Sequence, residues 1–168
     1  MEIKLLTATD AENYWNLRLE ALKQCPEAFA TSYEEAISRK NPIEQVAQNL
    51  DVKGNYTFGA FENNTLMGMV TLMKERHQKL QHRANIFAMY VTPKKQGKGI
   101  GKSLLQEVIE TAKLTDEIEK LNLTVVKTNK KAKQLYSTLG FQTFGLEEKA
   151  LKINGSYYDE EYMALVIK

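Results

Sequence analysis

Gln96-Gly97-Lys98-Gly99-Ile100-Gly101 places three glycines and a lysine between a strand-like run, Ala84 to Val91, and a helix-like run, Ile100 to Lys113. A glycine-rich turn that opens a helix leaves several backbone N–H groups without partners, at the positive end of the helix dipole. Glycine carries no Cβ, so such a turn can approach an anion closely. Lys98 and Lys102 add positive charge, and Lys94 and Lys95 lie just upstream. The chemistry this arrangement supports is the binding of a phosphorylated ligand.

The spacing narrows the choice of ligand. A dinucleotide fingerprint needs G-x-G-x-x-G, and no glycine stands three residues after Gly99. A P-loop needs G-x-x-x-x-G-K-[ST]; Gly101-Lys102-Ser103 imitates its end, but Gln96 occupies the position of the first glycine. The spacing present is Q-x-x-G-x-G, on Gln96, Gly99 and Gly101.

A second segment lies about 30 residues downstream. Asn129 to Phe141 reads N-K-K-A-K-Q-L-Y-S-T-L-G-F, with Ala132, Leu135, Tyr136 and Leu139 on one helical face. Asn129 suits an N-cap and Gly140 a C′ position. Together the two segments resemble the pyrophosphate loop and the downstream N-x-x-A-x-x-L-Y-x-x-x-G-F motif of the GNAT superfamily of N-acetyltransferases.

That resemblance implies acetyl-CoA as acyl donor and no metal. It implies a cofactor-binding set of Met89, Tyr90, Val91, Gln96, Gly97, Lys98, Gly99, Ile100, Gly101, Lys102 and Asn129. In this set Asn129 meets the pantetheine arm, and Tyr136 is the catalytic acid beside the departing sulfur. The acceptor side is implied to lie at the first-helix connection and the final hairpin, where Phe29, Tyr33, Glu34 and Glu35 stand, with Tyr157, Tyr158 and Asp159 on the hairpin. Glu34 and Glu35 equally suit the start of a solvated helix. The strand position where some family members carry a basic Glu falls on Asn85, which cannot take a proton. Glu34, Glu35, Glu75, His82 or a water chain are the alternatives for the base.

The chemistry makes definite demands. An alkyl ammonium has a pKa near 10.4, so only about one molecule in 2,500 is a free amine at pH 7. The developing oxyanion needs donors, which the backbone N–H groups around Met89 to Val91 can supply. The thiolate leaving group resembles cysteine, with a pKa of about 8.5, and a phenol can hydrogen-bond to it or protonate it. The resemblance therefore implies transfer of an acetyl group to a primary amine in a ternary complex. The acceptor is a small molecule, or a peptide or protein amine. The alternative is a non-catalytic acyl-CoA-binding module that senses cofactor for a partner protein.

The rest of the chain must position these groups. At 168 residues, a single domain spanning 1–168 is expected. Hydrophobic residues make up 43% and charged residues 26%, ordinary for a soluble globular protein. A net charge of +2 gives no case for nucleic acid or an anionic membrane as partner. The N-terminus lacks a signal-peptide pattern and Cys25 stands alone, so a cytoplasmic monomer or homodimer without disulfides is expected.

Turn signals and periodicity predict a strand at Ile3 to Leu6 and a helix to about Gln24, stopped by Pro26. A helical region covers Tyr33 to Leu50, broken at Asn41-Pro42. Strands follow at Tyr56 to Phe61, Leu66 to Met73 and Ala84 to Val91. After the glycine loop and its helix come an alternating strand at Leu121 to Val126, the Asn129 helix, and a hairpin turning at Asn154-Gly155. The order β-α-α-β-β-β-α-β-α-β-β predicts a mixed α/β fold with an antiparallel front half. The resemblance implies a GNAT-like twisted, mostly antiparallel sheet flanked by helices. In it the two neighbouring parallel strands, Ala84–Val91 and Leu121–Val126, splay apart. The lysines at 127, 130, 131 and 133 read as a solvated face.

Overall fold

Short turns and alternating strands build the sheet. The computed structural model describes residues 1–168. Strands β1 (Glu2–Leu5), β2 (Asn55–Glu62), β3 (Thr65–Lys74) and β4 (Arg83–Val91) pair antiparallel in sequence order. Asn63 and Asn64 turn the β2–β3 hairpin with φ of 50° and 62°, the left-handed values a two-residue type I′ turn requires. Asn154 and Gly155, at 48° and 81°, do the same between β6 (Gln142–Ile153) and β7 (Ser156–Val166). With β5 (Lys120–Val126), the sheet order is β1-β2-β3-β4-β5-β7-β6. Only β4 and β5 run parallel.

Five helices flank the sheet: α1 (Ala11–Gln24), α2 (Tyr33–Ile37), α3 (Pro42–Leu50), α4 (Ile100–Leu114) and α5 (Lys130–Thr138). The 33–50 helical region is broken at Asn41-Pro42 as expected, with α2 ending earlier, at Ile37. Asn41 adopts φ 50° and Pro42 opens α3, where a missing N–H costs nothing.

Alternation along β3 assigns the two faces. Val70 and Leu72 join the cluster under α4, with Leu104, Leu105, Val108 and Ala112. Met69 points the other way, to Leu17 and Ala21 of α1 and to Tyr90. Leu104, Leu105 and Leu121 are fully buried, and each such side chain contributes roughly 2 kcal/mol of transfer free energy. A third cluster joins Trp15 and Leu22 of α1 to Ala36 of α2 and Val46 of α3. The α2–α3 region is thereby fixed above the α1 face of the sheet. No helix is long and apolar enough to cross a membrane.

Candidate active site between the splayed strands

The parallel pair β4–β5 holds for only three rungs, from Arg83↔Lys120 to Asn85↔Asn122. Beyond them β5 stays paired with β7 through Val126, while β4 stays with β3. A bulge at Ala88 lies at the divergence. Ala88 has φ 52°, and the β3–β4 register jumps from Thr71↔Phe87 to Met69↔Tyr90. An extra residue bends its strand, and here the bend faces a gap. No glycine or proline marks the bulge in the sequence.

The gap is a cavity of about 120 Å³, walled in part by Met89, Val126, Asn129 and Tyr136. Tyr136 is 6% exposed, and its ring meets Phe141 edge-on at 6.0 Å between centroids. Burial pushes its phenol up to about 12, so it is a protonated donor throughout the neutral range. Asn129 caps α5: its Oδ1 accepts from the Ala132 N–H at 3.2 Å, and its amide N–H groups are left for the gap. Gly140, at φ 97°, follows the helix end.

At the mouth of the gap, the glycine turn behaves as its spacing predicts. The N–H groups of Gly97, Lys98, Gly99, Ile100, Gly101 and Lys102 donate to no acceptor in the protein; the first helical bond is Ser103 N–H to Gly99 O. Six free N–H groups at the start of a fifteen-residue helix fit a diphosphate. Gly97 and Gly99 have φ of 75° and 82°, and a Cβ on either would meet no protein atom within 4 Å. Both glycines therefore face open space, which an anion can enter. Gly101 is different: a Cβ there would stand 3.0 Å from Met89 Cε, so this glycine lets α4 approach β4. Lys98 and Lys102 carry no carboxylate partner, whereas Lys95 pairs with Glu62.

Several expected site residues do other work. Gln96 turns its Nε2 onto Val91 O at 2.9 Å, tying the turn to the end of β4. Tyr90 points away from the gap and donates to Glu20 Oε1 at 2.9 Å. Thr92 donates to the same oxygen at 2.6 Å, so a carboxylate on α1 clamps the strand just beyond the bulge. Val91 packs into the α4 cluster. Of Met89, Tyr90 and Val91, only Met89 presents its side chain to the gap. Asn85 donates to Glu75 Oε1 at 2.9 Å and lines neither the gap nor the cavities beside it. Lys133 is not part of a solvated face. It reaches the buried Glu161 carboxylate at 2.7 Å and docks α5 on β7.

A larger cavity of about 590 Å³ opens on the α1 side of the sheet, between α1, α3 and β6–β7. It shares Ala28, Phe87, Ala88, Thr124 and Glu160 with the gap. Phe29 lines it, and also lines a neighbouring cavity of about 550 Å³ that holds Tyr33, Glu34 and Glu35. Glu160 was missed by the sequence reading; its one signal is a carboxylate run, Asp159-Glu160-Glu161, within an alternating strand. Glu35 closes a capping box: its carboxylate accepts from the Ser32 N–H at 2.8 Å, and Ser32 Oγ accepts from the Glu35 N–H at 3.1 Å. The Ser32 N–H holds the Glu35 carboxyl below its ordinary range. We expect Glu35→Gln to loosen α2, seen as faster amide exchange over residues 33–37, and to leave the KM for amine acceptors unchanged.

A sequence model of the acetyltransferase (GNAT) domain matches residues 3–162. The chain belongs to the GNAT superfamily. It is 29% identical over 101 residues to the L-amino acid N-acetyltransferase AaaT of Escherichia coli, covering 60% of this chain and 62% of that one. It is 30% identical over 101 residues to the spermidine N(1)-acetyltransferase of Vibrio cholerae, covering 60% and 57%. These matches span less than two thirds of either relative's length. YncA of Salmonella typhimurium, solved with its cofactor acetyl-CoA, superposes with a TM-score of 0.85 at 19% identity, covering 100% of this chain and 94% of that one. This GNAT fold is mixed α/β, with a mostly antiparallel sheet and one parallel pair.

Proposed function

We propose that this chain transfers an acetyl group from acetyl-CoA to a primary amine, by direct attack in a ternary complex. The observation that carries this reading is the shared wall of the two cavities. The gap that holds Tyr136 and Asn129 adjoins the 590 Å³ cavity along Phe87, Ala88, Thr124 and Glu160. A donor lying in the gap and an acceptor in the larger cavity would therefore meet at the Ala88 bulge.

The free N–H groups of Gly97 to Lys102 would hold the pyrophosphate, with Lys98 and Lys102 neutralising it. Asn129 would offer its amide to the pantetheine arm, and Met89 would line that arm. The thioester supplies the activated acyl group. β4 has no strand partner on the β5 side past Asn85, so backbone N–H groups there are available to a developing oxyanion.

Tyr136 holds its proton near 12. Giving it outright to a thiolate whose conjugate acid lies near 8.5 would cost roughly 5 kcal/mol. Its role is therefore a hydrogen bond that strengthens as charge builds on sulfur, and the free thiolate takes its proton from solvent. Phe29, Tyr33 and Glu34 would wall the acceptor side.

The test is CoA release with acetyl-CoA across amino acids, polyamines, arylalkylamines and peptides with free N-termini. Release that depends on an amine and yields an N-acetyl product supports the reading. Tight acetyl-CoA binding with no turnover on any amine overturns it.

A further inference from the structure

The larger cavity carries more information about its occupant than its position does. Its charged residues are Arg18, Arg39 and Glu160, two cations and one carboxylate. Arg18 is half-buried on α1, lies over the Phe29 ring at 5.6 Å, and forms no ion pair within the protein. Arg39, at the end of α2, is exposed and likewise forms none. The remaining walls mix apolar side chains, Trp15, Met73 and Phe87 among them, with threonines and asparagines.

We infer that the acceptor is an amine that also bears a carboxylate, an amino-acid-type zwitterion, with Arg18 taking the carboxylate and Glu160 facing the ammonium. The inference rests on the transferase reading and adds the substrate class to it. A plain amine cation entering this cavity meets an excess of positive charge. A polyamine meets it more strongly. A zwitterion offers the unpaired guanidinium a planar, bidentate partner, the geometry arginine matches best. Its amine then falls to the one carboxylate in the cavity, which is also on the wall shared with the gap, and its apolar side chain has Trp15 and Met73 to pack on.

The same placement gives Glu160 a chemical task. It takes one proton from the ammonium and passes it to solvent. The freed nitrogen attacks the acyl carbon, so the N–C bond forms and the C–S bond breaks. Nitrogen loses a second proton as the amide forms, and the departing sulfur gains one. Burial, with Glu147 opposite on β6, pushes the Glu160 carboxyl up, which makes it a better base than an exposed carboxylate. The charged group that acts on it is Glu147 on β6; Tyr162 lies beside them on β7, Glu27 lines the gap, and the two arginines line the larger cavity. The Tyr162 phenol donates to Glu147, leaving Glu160 free.

The test compares L-phenylalanine, L-methionine and L-leucine, each beside its decarboxylated amine: 2-phenylethylamine, 3-methylthiopropylamine and 3-methylbutylamine. Spermidine and an alanyl peptide are run in parallel. We expect at least one amino acid to exceed its amine about tenfold or more in kcat/KM. Arg18→Gln should erase that preference by raising the KM of the amino acid and lowering that of the amine, since the cavity loses a positive charge, with acetyl-CoA affinity retained. Calorimetry of that amino acid into the protein saturated with CoA should lose its binding heat in the same variant. Glu160→Gln should lower kcat about tenfold or more with acetyl-CoA affinity retained.

The wild-type pairs decide the substrate class without any variant. Amines equal to or better than every amino acid overturn the inference, as does a preference that survives Arg18→Gln. Turnover of spermidine or the peptide alone overturns the inference and leaves the transferase reading standing. No turnover on any arm, with acetyl-CoA bound, overturns both.

Discussion

Tyr136→Phe is expected to lower kcat about 10²-fold or more, the scale of losing a positioned donor to charge that develops in the transition state, while leaving acetyl-CoA affinity and the melting temperature nearly unchanged. The substitution is conservative in packing. The ring keeps its edge-on contact with Phe141, and the backbone bond from the Phe141 N–H to the residue 136 carbonyl is untouched. What disappears is the one phenol in a gap otherwise lined by apolar side chains, the Thr124 hydroxyl, the Asn129 amide and the carboxylates of Glu27 and Glu160. The pH profile separates roles. Burial holds the phenol near 12, so it does not titrate between pH 6 and 9. The loss should therefore be uniform across that range. Steady-state kinetics on a turned-over acceptor, with chemistry shown to limit the rate, make the check. A Phe variant with wild-type kcat at every pH would make Tyr136 a packing residue, with sulfur departing without its hydrogen bond.

Asn129 and Tyr136 were legible because their relation is one-dimensional. Seven residues make nearly two helical turns, so both fall on one face wherever the helix docks. The turn at Gly97–Gly101 was legible for a similar reason: a helix start and its free N–H groups are local consequences of the chain. The hairpins at Asn63-Asn64 and Asn154-Gly155 follow from residues that tolerate positive φ. In each case, neighbours in sequence are the neighbours that matter.

The remainder depends on contacts between distant segments. Asn85 was placed on the correct strand, but Glu75 claims its amide from across the β3–β4 connection. Tyr90 was read for its backbone N–H, and nothing local to it shows that its side chain donates a hydrogen bond to Glu20, seventy positions earlier. Glu161 and Lys133 pair across twenty-eight positions, so a lysine that looks solvated is a docking contact. The Ala88 bulge is the clearest case. Alanine is an ordinary strand residue, and its left-handed backbone is imposed by β4 having to pair with β3 while leaving β5. Glu160 becomes a site residue only because that departure opens the gap beside β7. Alternation on β7 fixes its face, whereas the cavity it meets is made by α1, α3 and β4.

Gly99→Val is expected to weaken acetyl-CoA binding tenfold or more without unfolding the protein, and two causes contribute. Gly99 is the N-cap of α4 at φ 82° and ψ 0°, a left-handed conformation that costs an L-residue roughly 1–2 kcal/mol and suits a β-branched one least. Valine would pull the turn toward another conformation and disturb the N–H groups that now point outward. Its side chain would also enter space where no protein atom lies within 4 Å, the space the phosphates are proposed to occupy. The absence of protein contacts is also why the fold should survive, since nothing in the core has to move. Gly99→Asn separates the causes, because asparagine accepts the left-handed region and still adds a side chain. If crowding of the ligand dominates, Asn weakens binding nearly as much as Val. If backbone strain dominates, Asn stays close to wild type. Calorimetric titration of the three proteins with acetyl-CoA, alongside their melting temperatures, makes the comparison. Unchanged affinity in a folded Gly99→Val protein would remove the glycine turn from the cofactor site.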